Sequence, residues 1–325
     1  MLISIFKENL FFNSLLLLPY AALIRLYSLV YPSKLTAIQD GGLLYKYLLK
    51  ILPDSPVFYS VFSIIILFIE AVLINRMVTK NRFTRDMSLL PGMFFILLSS
   101  LSPEMQRFSP FFTGVFFVIL SFNELFKTYK KYLSERLLFN SGLYMSIAVL
   151  FYFDFSILFI ILILGFVSIR AFKIREFLQL FTGVLTVVYL YAFAIFMMDK
   201  KIVFPAVKFH SVSQYYTQDI PLIIIYSIMI FLVLYTIFTY RKFIIKKSIQ
   251  SQKKINILFW LLLFTIGISV FINPHYLLNY LIVIAFPLSI FTAMIFQRIK
   301  NNLIAEIVNL IIIFAMFIYH FQFYN

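Results

Sequence analysis

PVFYSVFSIIILFIEAVLINRM, residues Pro56 to Met77, decides the class of this chain. Within it only Glu70 and Arg76 carry charge. At 1.5 Å per residue such a run makes roughly 33 Å of helix, which matches the ~30 Å hydrocarbon core of a bilayer. The run has no alternation of polar and apolar residues, so it does not describe a barrel strand. Similar runs recur along the chain: SILFIILILGFVSI, PLIIIYSIMIFLVLYTIF and LIAEIVNLIIIFAMFI. They are too continuous for the amphipathic helices of a soluble core. Composition agrees, with 62% hydrophobic and 13% charged residues, against about 25% charged in soluble domains.

The expected fold is all-α, a polytopic transmembrane helical bundle that forms one domain over residues 1–325. Eleven stretches qualify as spans: 11–31, 56–77, 87–101, 110–126, 140–153, 155–170, 177–198, 220–240, 255–272, 276–297 and 302–320. The third and fifth are short for a full crossing. They are expected to be buried within the bundle or to re-enter it.

Lysine and arginine set the orientation. With the N-terminus in the cytoplasm, twenty of the 28 basic residues fall on cytoplasmic segments and seven on outer ones. Arg25 lies inside the first span. This asymmetry follows the positive-inside rule and places the C-terminus outside. It also accounts for the net charge of +15. The excess faces anionic lipid at the cytoplasmic helix ends, so nucleic acid is not an expected partner. The expected location is a bacterial inner membrane. The first apolar run lacks a small-residue cleavage site and reads as a retained span. The chain has no cysteine and three histidines in separate segments, His210, His275 and His320. No metal site and no cofactor are expected.

Function then belongs to the outer loops or the bundle interior. In PSKLTAIQDGGLLYKYLLKILPDSP, apolar residues recur at helical spacing after Asp40-Gly41-Gly42, and Lys46 and Lys50 share another face. That pattern predicts a juxtamembrane amphipathic helix over 43–52, ended by Pro53. Asp40 stands where it could cap that helix, or serve as a general base beside a lipid head group. In SPEMQRFSP, two Ser-Pro pairs bracket Glu104 and Arg107. The two charges could pair with each other, or Arg107 could hold a phosphate or carboxylate. Asp154 tips the next outer hairpin. Asn273-Pro274-His275-Tyr276 opens the tenth span, with Asn273 suited to a cap and Pro274 to a first helical turn. Pro287 lies mid-span and predicts a kink. Glu70 is a carboxylate deep in a span, which makes it a functional candidate on energetic grounds. Glu306 lies near the end of its span, within reach of the interface.

His275-Tyr276-Leu277-Leu278 followed by Phe286-Pro287, the helix after span one, and the hairpin of Ser141 to Leu185 resemble the GT-C superfamily of integral-membrane glycosyltransferases. The whole chain also resembles a Bacteroidota polytopic membrane family of unknown function. The GT-C resemblance implies transfer of a sugar from a polyprenyl-phosphate donor at the outer face. It assigns catalysis to Asp40 and substrate binding to Lys46, Glu104, Arg107, Asp154, His275 and Tyr276. Three features depart from it. No second acid accompanies Asp40, a histidine stands where an arginine is expected before Tyr276, and no soluble C-terminal domain follows. The alternatives are an inactive relative, a non-enzymatic membrane subunit, and a lipid-linked glycan polymerase or transporter of the envelope. A polymerase would want arginine in a large outer loop, and residues 199–219 have lysines only.

Overall fold

The computed structural model describes residues 2–8, 11–32, 41–84, 86–132, 134–197, 220–245, 247–269, 274–299 and 301–322. Among them the regular structure is entirely helical. In chain order the helices are α1 (Leu2–Lys7), α2 (Phe11–Leu15), α3 (Leu17–Ile24), α4 (Leu26–Val30), α5 (Leu43–Ile51), α6 (Pro56–Asn81), α7 (Leu90–Leu98) and α8 (Pro103–Gln106). They continue with α9 (Pro110–Lys127), α10 (Glu135–Phe151), a 3-10 turn (Phe153–Ile157), α11 (Leu158–Ile169), α12 (Ile174–Met197), α13 (Ile220–Ile244), α14 (Ile249–Ser269), α15 (Pro274–Arg298) and α16 (Asn302–Gln322).

Each of the eleven expected stretches falls largely on helix. Six helices among the described residues are long and apolar enough to cross a membrane: α6, α9, α12, α13, α15 and α16. The others fall short for separate reasons. The first stretch is broken at Leu16 and Arg25 into α2, α3 and α4. The third, α7, has only nine residues, about 14 Å of helix. The 3-10 turn interrupts the sixth, and α14 opens on the polar run Gln250-Ser251-Gln252-Lys253-Lys254.

Burial sorts the helices into a centre and a periphery. All nine residues of α7 are buried. Across the apolar window of α15, 89% of the residues are buried, against 22% for α12. Around α7 and α15 pack α3, α6, α9 and α14, while α12, α13 and α16 turn apolar side chains such as Phe193, Phe238 and Phe314 outward. An apolar exterior of this kind suits a hydrocarbon solvent, and an all-round apolar helix suits the centre.

Close backbone approach depends on glycine and on polar groups at depth. Asn75 of α6 accepts the Gly92 N–H at 2.7 Å, so it satisfies a donor that the start of α7 leaves without an intrahelical partner. A Cβ on Gly92 would meet Ala71 O at 2.7 Å. Between α9 and α10, Ser121 and Ser141 exchange hydroxyl-to-carbonyl bonds of 2.8 and 3.0 Å. Small residues and hydroxyls of this kind let membrane helices touch.

Contacts divide the bundle into two ends. At one end Leu89 N bonds Phe6 O at 2.8 Å, Lys7 bonds Asn302 at 2.6 Å, and Lys254 bonds Asn81 at 2.6 Å. At the other end Gly42 N bonds Phe151 O at 2.8 Å, Tyr45 bonds Phe108 O at 3.2 Å, and Gln106 meets His320 at 2.7 Å. The basic end includes the ion pairs Arg170–Glu176 and Arg175–Glu135, at 2.7 and 2.9 Å.

Candidate functional site

The segment Ser99 to Pro110 organises the second end. Its two Ser-Pro pairs start helices rather than merely stiffening a turn. Ser102 accepts from Met105 N at 3.2 Å and Ser109 accepts from Phe112 N at 3.4 Å, with Pro103 and Pro110 in the first turns of α8 and α9. Proline is tolerated there because its missing N–H would be unpaired anyway.

Arg25 holds this segment in place. It stands at the break between α3 and α4 and is fully buried. Its Nε donates to Ser100 Oγ at 3.0 Å. One terminal nitrogen donates to Ser63 Oγ at 3.0 Å and Gln106 O at 3.4 Å. The other donates to Ser99 O at 3.3 Å and Met105 O at 3.5 Å. These contacts occupy the five N–H groups of a guanidinium. The ring of Phe112 covers its face at 4.8 Å, a cation–π arrangement. Arg25 is therefore a clamp with no donor left for a ligand.

Beside the clamp lies a second polar chain. His320 meets Met316 O through Nδ1 at 2.7 Å and Gln106 Nε2 through its own Nε2 at 2.7 Å. A carbonyl can only accept, so Nδ1 carries the proton and Nε2 accepts, which describes a neutral imidazole. Gln106 Nε2 also donates to Ser100 O at 3.0 Å. Tyr27 packs edge-on against the imidazole at 5.0 Å.

Several buried polar atoms at this end have no hydrogen-bond partner among the described residues. They are Glu104 Oε2, Gln106 Oε1, Asn279 Oδ1 and the Tyr280 hydroxyl. Helix α8 packs on α15, which brings the first two residues' element against that of the other two. Tyr280 lies 6.2 Å from Phe111 by ring centroids and feels the charge of Asp154.

The expected site residues are distributed as follows. Glu104 and Arg107 are both partly buried on the α8 segment, and no ion pair joins them. Pairing within the turn is thus corrected, because Arg107 is already in extended backbone beyond the helix. Asp154 opens the 3-10 turn. Lys46 is exposed on α5, next to buried Tyr45. Burial, and then Tyr59, raise the Tyr45 hydroxyl above its usual range, so it stays a donor to Phe108 O. Pro274 opens α15 as expected and the helix runs on through Pro287. His275 and Tyr276 lie on its first turn, with side chains outside the described parts. Asp40 and Asn273 lie outside the described residues. The N-cap position of α5 belongs to Gly42, whose extended backbone sits so close to Leu150 O that a Cβ would approach to 2.1 Å.

Sequence reasoning assigned nothing to Arg25, Gln106, His320, Asn279 or Tyr280. The one available signal was an arginine within a span, which is costly and rarely without a partner. Glu70 is fully buried, as its position implied, and neither of its oxygens has a hydrogen-bond partner among the described residues. Glu306 is partly buried near the start of α16, and its Oε1 has no hydrogen-bond partner among the described residues.

No curated protein and no solved structure matches this chain. A family model does, over residues 40–324, which is most of the chain including the α5, α8 and α15 segments. The chain belongs to the family of unknown function DUF6427.

Proposed function

We propose that the chain is an eleven-pass protein of a bacterial inner membrane, N-terminus inside, that transfers a sugar from a polyprenyl-phosphate donor at the outer face in the manner of GT-C enzymes. The observation that supports this most is the set of buried, unpartnered oxygens at the α8–α15 end. Three of the four can only accept hydrogen bonds, and a buried acceptor left unmade costs about 1–3 kcal/mol. A glycosyl group, rich in hydroxyl donors, supplies what Glu104, Gln106, Asn279 and Tyr280 lack. Amphipathic α5, with Lys46 exposed, lies at the same end and suits the membrane surface where a lipid head group would sit.

In this reading Asp40 accepts the proton of the acceptor hydroxyl as that oxygen attacks the anomeric carbon. The departing polyprenyl phosphate is stabilised by Arg107, Lys46 or His275. Asp154 and Tyr276 complete the sugar-binding side. In cells lacking the protein, lipid-linked sugar should accumulate. Asp40→Asn protein, expressed at normal levels, should fail to relieve that accumulation, because an amide cannot accept the proton. Full rescue by Asp40→Asn would remove the catalytic assignment.

Glu70 favours a second reading, a non-enzymatic membrane subunit or a transporter of lipid-linked glycan. Carriers place ionisable groups within the membrane. Rescue by Asp40→Asn together with failure of Glu70→Gln would select it.

A further inference from the structure

Glu70 has no part in the transfer chemistry above, and its surroundings carry a separate inference. It lies midway along α6 and is fully buried. Neither carboxyl oxygen has a hydrogen-bond partner among the described residues. Among the described residues, the cation whose charge it feels is Arg25. Yet all five guanidinium N–H groups of Arg25 are directed elsewhere, to Ser63, Ser99, Ser100, Met105 and Gln106. Ser63 stands seven residues before Glu70, so the two share a face of α6, two turns apart. Arg25 is thus bonded to the same stripe of α6 on which Glu70 lies.

Among the described residues, the other elements bring no better partner. Against α6 pack α3, α4, α7, α9 and α14. Helix α3 contributes Tyr20, whose buried hydroxyl is likewise unpartnered. Helix α4 contributes Tyr27, which packs on His320. Helix α7 has no titratable residue. The charges of α9 and α14, Glu124, Lys127, Lys253 and Lys254, lie at the opposite end. A carboxylate at this depth with no donor is strongly disfavoured, and an ionised one needs a partner.

We propose that Glu70 is a proton-binding site that competes with the Ser99–Arg107 segment for Arg25. In the form seen, Glu70 is the neutral acid and Arg25 clamps the segment. When Glu70 gives its proton to water, the carboxylate captures the guanidinium. The carbonyls of Ser99, Met105 and Gln106 lose their donor, and the segment that carries Glu104 and Arg107 is released. Proton binding at mid-membrane thereby sets whether the outer-end site is closed. This holds whether the site transfers sugars or only binds them.

Hydrogen exchange on the full-length protein in lipid nanodiscs tests it. Exchange of residues 99–107 is followed from acid to alkaline pH, with the turn at 153–157 as an internal control for intrinsic pH dependence. One proton released on opening makes the opening constant rise about tenfold per pH unit more than that of the control turn. Glu70→Gln, a neutral isostere, should keep the segment protected at every pH. Glu104→Gln, which removes the segment's own carboxyl, should keep the wild-type slope. A wild-type segment that follows the control turn overturns the proposal, as does a slope that survives in Glu70→Gln or vanishes in Glu104→Gln. If Glu70→Gln does not fold, infrared spectroscopy of the wild type decides. A protonated-carboxyl band must be present at acid pH and fade where the segment opens, and absence of that band refutes the proposal.

Discussion

Lys254 shows how a single side chain converts burial into a pH response. It is 1% exposed on the second turn of α14, donates to Asn81 Oδ1 at 2.6 Å, and lies 5.7 Å from the Tyr129 ring. No carboxylate pairs with it among the described residues. Burial lowers its pKa from 10.5 to about 8. The protonated form is therefore the costly one in the folded state. That cost is full below pH 8 and is relieved as pH rises from about 8 toward 10.5, where the unfolded chain would still hold the proton. Thermal unfolding in detergent should show stability rising across that window by on the order of 1–2 kcal/mol, after allowance for screening. Lys254→Met should flatten the profile, and an unchanged profile would show that Lys254 is not the titrating group. At this scale the sequence revealed little. Glu70 was conspicuous because a charge stands out in an apolar run. Arg25 was conspicuous for the same reason, but its role was not legible. Three of its five acceptors are backbone carbonyls, which any residue supplies, and all five lie far along the chain.

Elements were more legible, because their signals are local. The predicted amphipathic helix at 43–52 is α5, Leu43–Ile51. Pro274 opens α15, and the serines and prolines of the outer hairpin mark two helix starts. The short third span was expected to be buried within the bundle or to re-enter it, and α7 is buried. The break at Arg25 was not foreseen, since neither proline nor glycine marks it and only tertiary bonds explain it. Helix spacing was also hidden. Gly142 and Gly183 let α10 and α12 meet so closely that a Cβ would come within 2.2 Å of Leu180 O or Phe139 O, respectively. Backbone cannot yield as a side chain can. Gly183→Ala should cost about 1–3 kcal/mol in detergent unfolding, with loss of α10–α12 packing. Gly267→Ala, where nothing lies within 4 Å, should be neutral or stabilise α14 by about 0.5–1 kcal/mol. Equal effects at the two positions would show that the close approach is not real.

For the whole molecule, the all-helical, apolar-surfaced bundle was legible from composition and run length alone. The number of crossings was less so, because hydropathy counts runs and cannot see that α7 is short or that the first run is broken. The structure has six helices long and apolar enough to cross among the described residues, and the eleven-pass arrangement stays a proposal. Residues assigned by charge to one side, such as Lys7, Asn81 and Lys254, share contacts, and those assigned to the other, such as Gly42, Phe108 and Phe151, share theirs. Reporter fusions after Lys254 should read cytoplasmic and fusions at Asn325 external. The same side for both would exclude eleven crossings. The site was the least legible feature, because α8 and α15 meet there through atoms identified only by what they fail to bond, and α16 joins through a contact between residues 214 apart, Gln106 and His320.

The Arg25 clamp also imposes an order on biosynthesis. Its partners Ser100 and Gln106 follow it by 75 and 81 residues. At a synthesis rate of ~5–20 residues per second, they leave the ribosome roughly 4–16 seconds later. Through that interval the first hydrophobic segment must enter the membrane with a guanidinium that has at most one of its five final acceptors, Ser63, which follows it by 38 residues. A charge at the bilayer centre costs about 2.5–3.5 kcal/mol on the insertion scale and much less near the interface. The nascent segment is therefore expected to wait with Arg25 among the lipid head groups, and to settle to its final depth only after the downstream turn has been threaded through. Integration of the first segment and folding of the bundle are then a single late event, and a chain truncated before Ser99 should retain a first segment that chaperones or translocon partners must hold.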